Sequence, residues 1–195
     1  VLAAIFQRSP YCIIVKHDSG IVGPHDLIGK RLMLSRTTRA TEYLALLRSQ
    51  DVPIDGIDVV PHTWNVDDLI DNRVDAMIGY STSQPQQFRN RGVPIHIISP
   101  MSHGIDFYGD CLFTSQHQVR EHSRRVRDFR AASLRGWREA MADSEAACRI
   151  VHAAVAEKYP QVTLQSLRYE AEAMRSLILP DIVEVGHMNP QRWQQ

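Results

Sequence analysis

Hydrophobic and polar positions alternate with two different periods over the central part of the chain. Between Arg31 and Ser99, short β-branched and apolar runs are separated by segments in which apolar residues recur every three or four positions. The short runs are typical of buried strands and the longer period is typical of amphipathic helices, so the pattern predicts βαβ units around a parallel sheet. The predicted strands are Arg31 to Leu34, Ile57 to Val60, Asp75 to Tyr80 and Ile95 to Ile98, and the predicted helices are Thr41 to Arg48 and Val66 to Ile70, with Asn65 as the N-cap.

Extended segments are also predicted on both sides of this block. Val1 to Phe6 and Tyr11 to Val15 are apolar and rich in β-branched residues, and Ser9-Pro10 between them is typical of a turn. Ile105 to Phe113 is predicted to be extended as well. The remainder is predicted to be helical, with helices from Ser123 through Met141, from Asp143 to about Pro160 and from Thr163 to just before Pro180.

The charge balance argues against a polyanion partner. Lys and Arg together number 22, and so do Asp and Glu, so no net positive charge attracts nucleic acid. The arginines of the Ser123 helix are therefore expected to face solvent and not to bind nucleic acid. No apolar run reaches the roughly 20 residues that a membrane-spanning helix needs.

Cysteines and histidines give no sign of a metal site or a catalytic site. The three cysteines, at positions 12, 111 and 148, are far apart and match neither a zinc ligand set nor a disulfide framework. None of the nine histidines belongs to a His-Glu-x-x-His motif, and no Gly-x-Ser-x-Gly or phosphate-loop motif occurs. We therefore expect no metal, no cofactor and no enzymatic activity.

Motifs spread over nearly the whole chain resemble one family of solute-binding proteins. They are Asp26 to Arg31, Val74-Asp75-Ala76-Met77 with Tyr80, Gly104 to Asp110, Arg135-Gly136-Trp137, and Gly186 to Pro190 with Arg192-Trp193. In these segments the chain resembles the family named for thiamine pyrimidine precursor biosynthesis, especially its branch fused to bacterial sensor histidine kinases and diguanylate cyclases. The last of these motifs and the aromatic glycine run are the most specific to that branch, whereas Asp75 is expected to have a structural role beside its strand.

The resemblance implies an α/β fold of the type II periplasmic-binding kind, with two lobes that contain parallel-rich sheets and with a helical C-terminal part. Val1 matches the last strand of the first lobe in the family pattern, so the first lobe is expected to be incomplete. The expected division is residues 1–20 for the end of the first lobe and the hinge, 21–99 for the second lobe, and 100–195 for the return to the first lobe and the C-terminal helices. The apolar surface of Val1 to Phe6 and of parts of the helices after Ser123 is therefore expected to stay exposed or to mediate self-association.

Polar and aromatic residues follow the predicted strands at the ends where open α/β sheets bind ligands. Parallel strands point their carboxyl ends the same way, so the residues just after them converge on one edge. Such an edge suits a small, partly planar molecule that is neutral or weakly charged. We expect a cleft between the lobes that is lined by Thr37, Thr38, Trp64, Asn65, Tyr80 and Ser81, with Ser9, Asp106 and Tyr108 facing them.

Several of these residues also have a structural alternative. Thr37 and Thr38 can cap the following helix as well as bind an anionic or carbonyl group of a ligand. Trp64 and Tyr80 either stack on a planar ligand or belong to the core. Asp106 either faces the cleft or makes a hydrogen bond in a turn or hinge.

Four functions are compatible with this resemblance. The leading one is a ligand sensor in the periplasm, fused to a kinase or cyclase domain. The second is a free periplasmic solute-binding protein of an ABC transporter for a pyrimidine-like or other small planar solute. A pyrimidine-forming enzyme would be expected to carry a cysteine cluster, which this sequence lacks, and the effector domain of a transcription regulator would need a helix-turn-helix module.

Overall fold

Short strands and longer helices alternate over most of the chain. The structure is a computed structural model that describes residues 1–34 and 41–193, apart from the side chain of residue 41. The strands are β1 (Ala3–Ala4), β2 (Tyr11–Lys16), β3 (Arg31–Leu34), β4 (Asp58–Pro61), β5 (Ala76–Tyr80), β6 (Ile95–Ile98) and β7 (Cys111–Leu112). The helices are α1 (Thr41–Ser49), α2 (Asp67–Ile70), α3 (Gln84–Asn90), α4 (Gln116–Glu121), α5 (Ser123–Ala142), α6 (Ser144–Val155) and α7 (Leu164–Ile178).

The chain divides into two compact units, which are described separately. The central unit is Pro10–Asp106, and the terminal unit consists of Val1–Ser9 with Phe107–Gln195. The sequence-based division put residues 10–20 with the first segment and residues 100–106 with the last, and the compact units differ at both places. The reason for the first difference is that β2 pairs with β5 on one side and with β6 on the other.

A five-stranded sheet in the order β4-β3-β5-β2-β6 organises the central unit. Strand β3 is parallel to β4 and to β5, whereas β2 is antiparallel to both of its neighbours. The helices α1, α2 and α3 connect successive parallel strands, which confirms the predicted βαβ units. The antiparallel strand β2 comes before these units in the sequence. The hydrophobic pattern of the units therefore does not predict that β2 lies between β5 and β6 in the sheet.

Both faces of this sheet are buried along the inner strands β2, β3 and β5, whereas the edge strand β4 is mostly exposed. Along β2, Ile13 and Val15 belong to one core cluster, with Leu46 and Leu47 of α1. The residues of β2 that alternate with them, Cys12 and Ile14, belong to a second cluster that includes Phe88 of α3. Because consecutive side chains of a strand point to opposite faces, burial of both faces requires an uninterrupted apolar run such as that of β2.

An ion pair joins the first residue of β3 to the residue before β5. Asp75 Oδ1 lies 2.9 Å from Arg31 Nη2, and Asp75 Oδ2 accepts a hydrogen bond from the Arg31 backbone N–H at 2.8 Å. The Arg31 guanidinium lowers the pKa of Asp75 below its usual value. The expected structural role of Asp75 is therefore confirmed.

The terminal unit packs helices α5 and α7 against a short antiparallel pair of strands, β1 and β7. Its core contains Phe6, Leu134, Met141 and Ile178. The predicted strand Val1 to Phe6 is shorter than expected, because only Ala3–Ala4 pairs with another strand. In the part of the chain that the structure describes, no helix is both long enough and apolar enough to cross a bilayer.

The predicted helix starts Ser123, Asp143 and Thr163 each lie within one residue of an observed start, and two of them are N-caps. Asp143 accepts a hydrogen bond from the Ala146 backbone N–H at 2.9 Å, and Thr163 forms a capping box with Ser166. Ser123, by contrast, is the first residue of α5 and has no capping role. The side chain of Ser115 caps the preceding helix α4, which the sequence pattern did not predict.

Candidate functional site

The carboxyl ends of β3, β4 and β5 lie at one edge of the central sheet, because these strands are parallel. Strand β2 runs the other way and therefore begins at this edge. Trp64 and Asn65 follow β4, Tyr80 ends β5, and Ser81 comes next. We call the edge formed by these residues the strand-end edge.

The loop after β4 is fixed by hydrogen bonds from its own side chains. The Thr63 hydroxyl donates to an Asp68 carboxylate oxygen and accepts from the Asn65 backbone N–H at 3.2 Å. Asn65 Oδ1 in turn accepts from the backbone N–H of Asp67, the first residue of α2, at 3.0 Å. Asn65 thus satisfies a free N–H at the helix start, as expected of a capping residue, although Val66 occupies the N-cap position itself.

Trp64 lies at the tip of this loop with its ring in solvent. Trp64 is 64% exposed, so the alternative that it belongs to the core is wrong. Its φ angle of 65° is in the left-handed region, which costs a residue other than glycine about 1–2 kcal/mol. The indole stacks on the His62 ring with centroids 4.2 Å apart. An exposed aromatic ring held in a strained backbone conformation is a candidate ligand contact.

At the end of β5, the Tyr80 ring meets the Tyr11 ring edge to face, with centroids 4.7 Å apart. The Tyr80 backbone N–H donates to Gln84 Oε1 at 2.7 Å, and the Ser81 N–H donates to the Pro10 carbonyl at 2.8 Å. Tyr80 and Ser81 are both half-buried. The structure therefore presents two tyrosine rings and the Ser81 hydroxyl at the same edge as Trp64.

Two buried hydroxyl groups of the central unit have no hydrogen-bond partner among the described residues. They are Thr82 Oγ1 and Tyr43 Oη. Thr82 is 1% exposed, and Tyr43, in the first turn of α1, is 3% exposed. Burial raises the pKa of Tyr43 to about 12, so its hydroxyl stays protonated at neutral pH. Unsatisfied buried polar groups are uncommon and tend to mark functional regions.

The remaining predicted site residues fall into three cases. Thr37 and Thr38 lie outside the described residues. Asp106 is an exposed residue at the end of the central unit, whereas Ser9 is half-buried and belongs to the terminal unit. Tyr108 also belongs to the terminal unit, where it contacts that unit's own C-terminal segment.

Tyr108 is held between two residues of that segment. Its ring stacks on Trp193 with centroids 5.2 Å apart, and the Arg192 guanidinium lies 4.2 Å from the ring centroid. Its hydroxyl accepts a hydrogen bond from the Asn189 backbone N–H at 2.8 Å, and Arg192 donates to the Gln7 carbonyl at 2.8 Å. Within this unit, Tyr108 therefore anchors the C-terminal segment.

Among the described residues, the two acidic side chains of α2 are paired with arginines. On α2, Asp68 accepts from Arg73 at 2.6 Å, and Asp67 accepts from Arg91 at 2.8 Å. The hydrogen bond from Thr63 and the nearby Arg73 lower the pKa of Asp68. Opposite charges therefore neutralise each other beside the aromatic rings.

Thiol and metal chemistry receive no support from the described residues. Burial raises the pKa of Cys12 to about 12, and it also raises the pKa values of Cys111 and Cys148, so all three thiols are poor nucleophiles at neutral pH. Across residues 1–34 and 41–193, no group of three His, Cys, Asp or Glu side chains is placed to hold a metal ion.

A groove of about 530 Å³ lies between α5, α6 and α7 of the terminal unit. Its walls are mostly apolar and include Trp137, Met141, Val151 and Met174. One acidic residue, Glu170, also lines it, and desolvation raises the pKa of its carboxyl group. The groove agrees with the expectation of uncovered apolar surface on the helices after Ser123. The same expectation for Val1 to Phe6 is wrong, because Ala3, Ile5 and Phe6 are buried in the core of this unit.

Sequence reasoning missed His62 and Tyr11 as neighbours of the predicted site. Both are placed by contacts with β5: the His62 side chain bonds to the Ile78 carbonyl, and Tyr11 pairs with Tyr80. The position of His62 two residues after the predicted strand Ile57 to Val60 was an available signal. Tyr11 is the first residue of β2, so its place at this edge depends on the antiparallel direction of that strand.

Comparisons with known proteins agree on one fold. The family described as NMT1/THI5 like matches residues 1–147. The alkanesulfonate-binding protein SsuA from Xanthomonas axonopodis pv. citri, bound to MOPS, matches with a TM-score of 0.59 and 12% identity over 88% of this chain and 59% of that one. The periplasmic aliphatic sulphonate binding protein SsuA from Escherichia coli matches with a TM-score of 0.52 and 13% identity over 97% of this chain and 59% of that one.

A protein from Bordetella bronchiseptica RB50 matches with a TM-score of 0.69 and 15% identity over 97% of this chain and 62% of that one. The chain thus spans about three fifths of the length of these three structures. No curated protein matches the chain in sequence. At such identities the likeness establishes the fold alone, and it confirms the expected α/β fold of the periplasmic-binding-protein kind.

Proposed function

The chain belongs to the NMT1/THI5-like family, and from this premise we propose that it binds a small organic solute at the strand-end edge without transforming it. The observation that carries the proposal is the convergence of Trp64, Tyr80 and Ser81 on one edge of the central sheet. Ligands of open α/β sheets bind beyond the carboxyl ends of the strands. Rings supply apolar contact there, and a few hydroxyl and amide groups fix the orientation of the ligand.

The chemistry of this edge favours a planar solute that is neutral or weakly charged. The exposed face of Trp64 and the paired rings of Tyr11 and Tyr80 suit stacking and edge contacts with a flat molecule. The acidic residues of α2 are already paired with arginines. A pyrimidine-like solute fits these properties better than a strongly charged one does.

Five further residues are proposed to contribute to ligand binding. Thr37 and Thr38 follow β3 in the sequence, so a contribution from them to the strand-end edge stays a prediction. Participation of Ser9, Asp106 and Tyr108 in ligand binding is likewise a prediction. For Tyr108, its contacts with Asn189 and Trp193 support a structural role at the same time.

For the biological role, we propose a periplasmic ligand sensor fused to a kinase or cyclase domain. The motifs shared with the sensor branch of the family, above all Gly186 to Pro190 with Arg192-Trp193, support this role. The alternative is a free solute-binding protein of an ABC transporter, which the fold shared with the two sulfonate-binding proteins favours. The coding sequence beyond Gln195 distinguishes them, because a membrane-spanning helix followed by a kinase or cyclase domain is expected only for the sensor.

We also propose that the groove between α5, α6 and α7 mediates self-association. Its mostly apolar lining supports this, because removal of apolar surface from water is the main driving force of protein association. A second copy that covers the groove would remove Trp137 and Met174 from water. A partner surface with a basic or hydrogen-bonding group would suit Glu170.

The proposed binding function is tested by thermal unfolding of the chain with cytosine, putrescine and succinate as probes. Bound ligand raises apparent stability by about 2.7 kcal/mol at a concentration 100 times its Kd. We expect cytosine to raise Tm more than the amine or the dicarboxylate does, and we expect Trp64→Ala to reduce this rise. Equal Tm values with and without all three probes would contradict the proposal.

A further inference from the structure

The His62 ring uses both of its nitrogen atoms in hydrogen bonds to the backbone. Its Nδ1 lies 2.9 Å from the Trp64 backbone nitrogen, and its Nε2 lies 2.7 Å from the Ile78 carbonyl oxygen. The Trp64 N–H donates, so Nδ1 must accept; the carbonyl accepts, so Nε2 must carry the proton. The two partners therefore define one neutral tautomer of the ring.

These two bonds connect the loop after β4 to a strand that is not its neighbour. In the sheet order β4-β3-β5, strand β3 lies between His62 and Ile78. The ring thus extends past the end of β3 and binds a backbone carbonyl of β5. This hydrogen bond attaches the loop to the sheet.

The same ring also supports the Trp64 side chain. The two ring planes are 30° apart with centroids at 4.2 Å, so the imidazole covers one face of the indole. The backbone of Trp64 is in the left-handed region, which a residue with a side chain leaves unless other contacts hold it. His62 supplies two such contacts at once, a hydrogen bond to the backbone and a stack against the side chain.

We infer that His62 is the positioning residue for Trp64 and sets the affinity of the strand-end edge for planar solutes by holding the indole with its second face open. The inference rests on the proposed function, and it adds a residue and a mechanism to it. A preorganised ring costs less ordering entropy on binding than a mobile one. Loss of the His62 contacts should therefore weaken binding even though His62 itself does not touch the solute.

The test compares three variants of the full chain. In His62→Phe the ring can still stack but accepts no hydrogen bond, whereas in His62→Asn an amide oxygen can take the place of Nδ1 as acceptor. His25→Phe changes an exposed histidine outside the strand-end edge and is the matched control. The two readouts are hydrogen exchange of the Trp64 amide by NMR and the Kd for cytosine.

We expect His62→Phe, which removes both ring hydrogen bonds, to speed exchange of the Trp64 amide and to weaken cytosine binding, each by about threefold to tenfold, the range set by loss of the one bond that directly holds the Trp64 amide. His62→Asn should restore part of the amide protection, because its amide oxygen supplies the acceptor for Trp64 but neither the ring stack nor the bond to Ile78, and His25→Phe should change neither readout. Unchanged amide exchange in His62→Phe would overturn the inference, and so would faster exchange with unchanged cytosine affinity. If the unmodified chain does not bind cytosine, the proposed ligand class fails, while the amide readout still decides whether His62 holds Trp64.

Discussion

At the scale of single residues, Tyr80 is the most direct test of how the strand-end edge contacts a solute. Its ring is half-buried and meets Tyr11 edge to face. We predict that Tyr80→Ala weakens cytosine binding by about 1–3 kcal/mol, because an aromatic contact with a ligand is lost. Isothermal titration measures the change, and Tyr80→Phe, which keeps the ring, is the control.

The opposite outcome would assign Tyr80 to the core. In that case Tyr80→Ala would lower Tm and leave the affinity for cytosine unchanged. The edge contact with Tyr11 would then be a packing contact only.

Asp75 gives a prediction that depends on pH. Its carboxylate accepts hydrogen bonds from the Arg31 backbone and side chain, and its folded-state pKa is below the ordinary value of 3.8. A carboxyl group with a lowered folded-state pKa stabilises the folded state above its unfolded-state pKa, and this stabilisation is lost as pH falls through the folded-state pKa. The contribution of Asp75 should therefore be complete at neutral pH and decline below about pH 4.

We predict that Asp75→Asn lowers the free energy of unfolding by about 1–2 kcal/mol at pH 7, an estimate reduced for partial solvent exposure of the pair. The difference from the unmodified chain should shrink below pH 4. Urea unfolding over a pH series measures it, with exposed Asp55→Asn as the matched control. A difference that stays constant from pH 7 to pH 3 would show that the charge of Asp75 is not the cause.

The sequence located Trp64, Asn65, Tyr80 and Ser81 because each follows or ends a strand that has a clear apolar pattern. It did not locate His62 or Tyr11, whose roles come from partners distant in the sequence. His62 binds a carbonyl 16 residues away, and Tyr11 packs against Tyr80 across an antiparallel pair. Periodicity describes neighbours along one element, and it contains no information on which elements lie side by side.

At the scale of elements, Gly186 determines how the segment after α7 packs on α5. It forms a bridge with Ala4, and its φ angle is 91°. A Cβ atom at this position would lie 2.4 Å from Leu134 Cδ2 and 3.3 Å from Ala3 Cβ. Both the backbone conformation and the close approach therefore require glycine here.

We predict that Gly186→Ala destabilises the chain by about 1–3 kcal/mol, mainly through the strained backbone. Gly136→Ala is the matched control, because a Cβ at Gly136 meets no atom within 4 Å and Gly136 lies inside helix α5. The control should be neutral or more stable by up to about 1 kcal/mol, since alanine favours helices. Equal urea midpoints for the two variants would refute the assigned role of Gly186.

Element boundaries show the same limits of local pattern. The capping residues Asp143 and Thr163 were predictable because a polar side chain directly precedes an amphipathic run. The predicted strand over Val1 to Phe6 was too long, since strand length depends on the partner, and β7 offers only Cys111–Leu112. Helix α4 was missed because its six residues include few apolar ones.

At the scale of the whole molecule, the fold class followed from the alternation of strands and helices together with the family motifs. The extent of the units did not, because β2 joins the central sheet through pairing with β5 and β6. The same pairing places Tyr11 beside Tyr80. Strand order is thus the information that the sequence pattern lacked, both for the fold and for the site.

Self-association through the groove is predicted at this scale. Val151 lines the groove and is 44% exposed, whereas Ile182 is 76% exposed and is not among the groove-lining residues. We predict that the average mass in sedimentation velocity rises with concentration for the unmodified chain and for Ile182→Glu. Val151→Glu should stay monomeric, because a carboxylate cannot be buried in an apolar contact without a partner. A monomer at every concentration of the unmodified chain would contradict the prediction.

The most direct test of the central claim is a backbone NMR titration of the chain with cytosine, putrescine and succinate. The account predicts that the largest chemical-shift changes caused by cytosine occur at the amides of Trp64, Asn65 and Ser81, with small changes in helices α5 to α7. Saturation of these changes would also yield the Kd. Shift changes confined to the groove residues, or none with any of the three probes, would contradict solute binding at the strand-end edge.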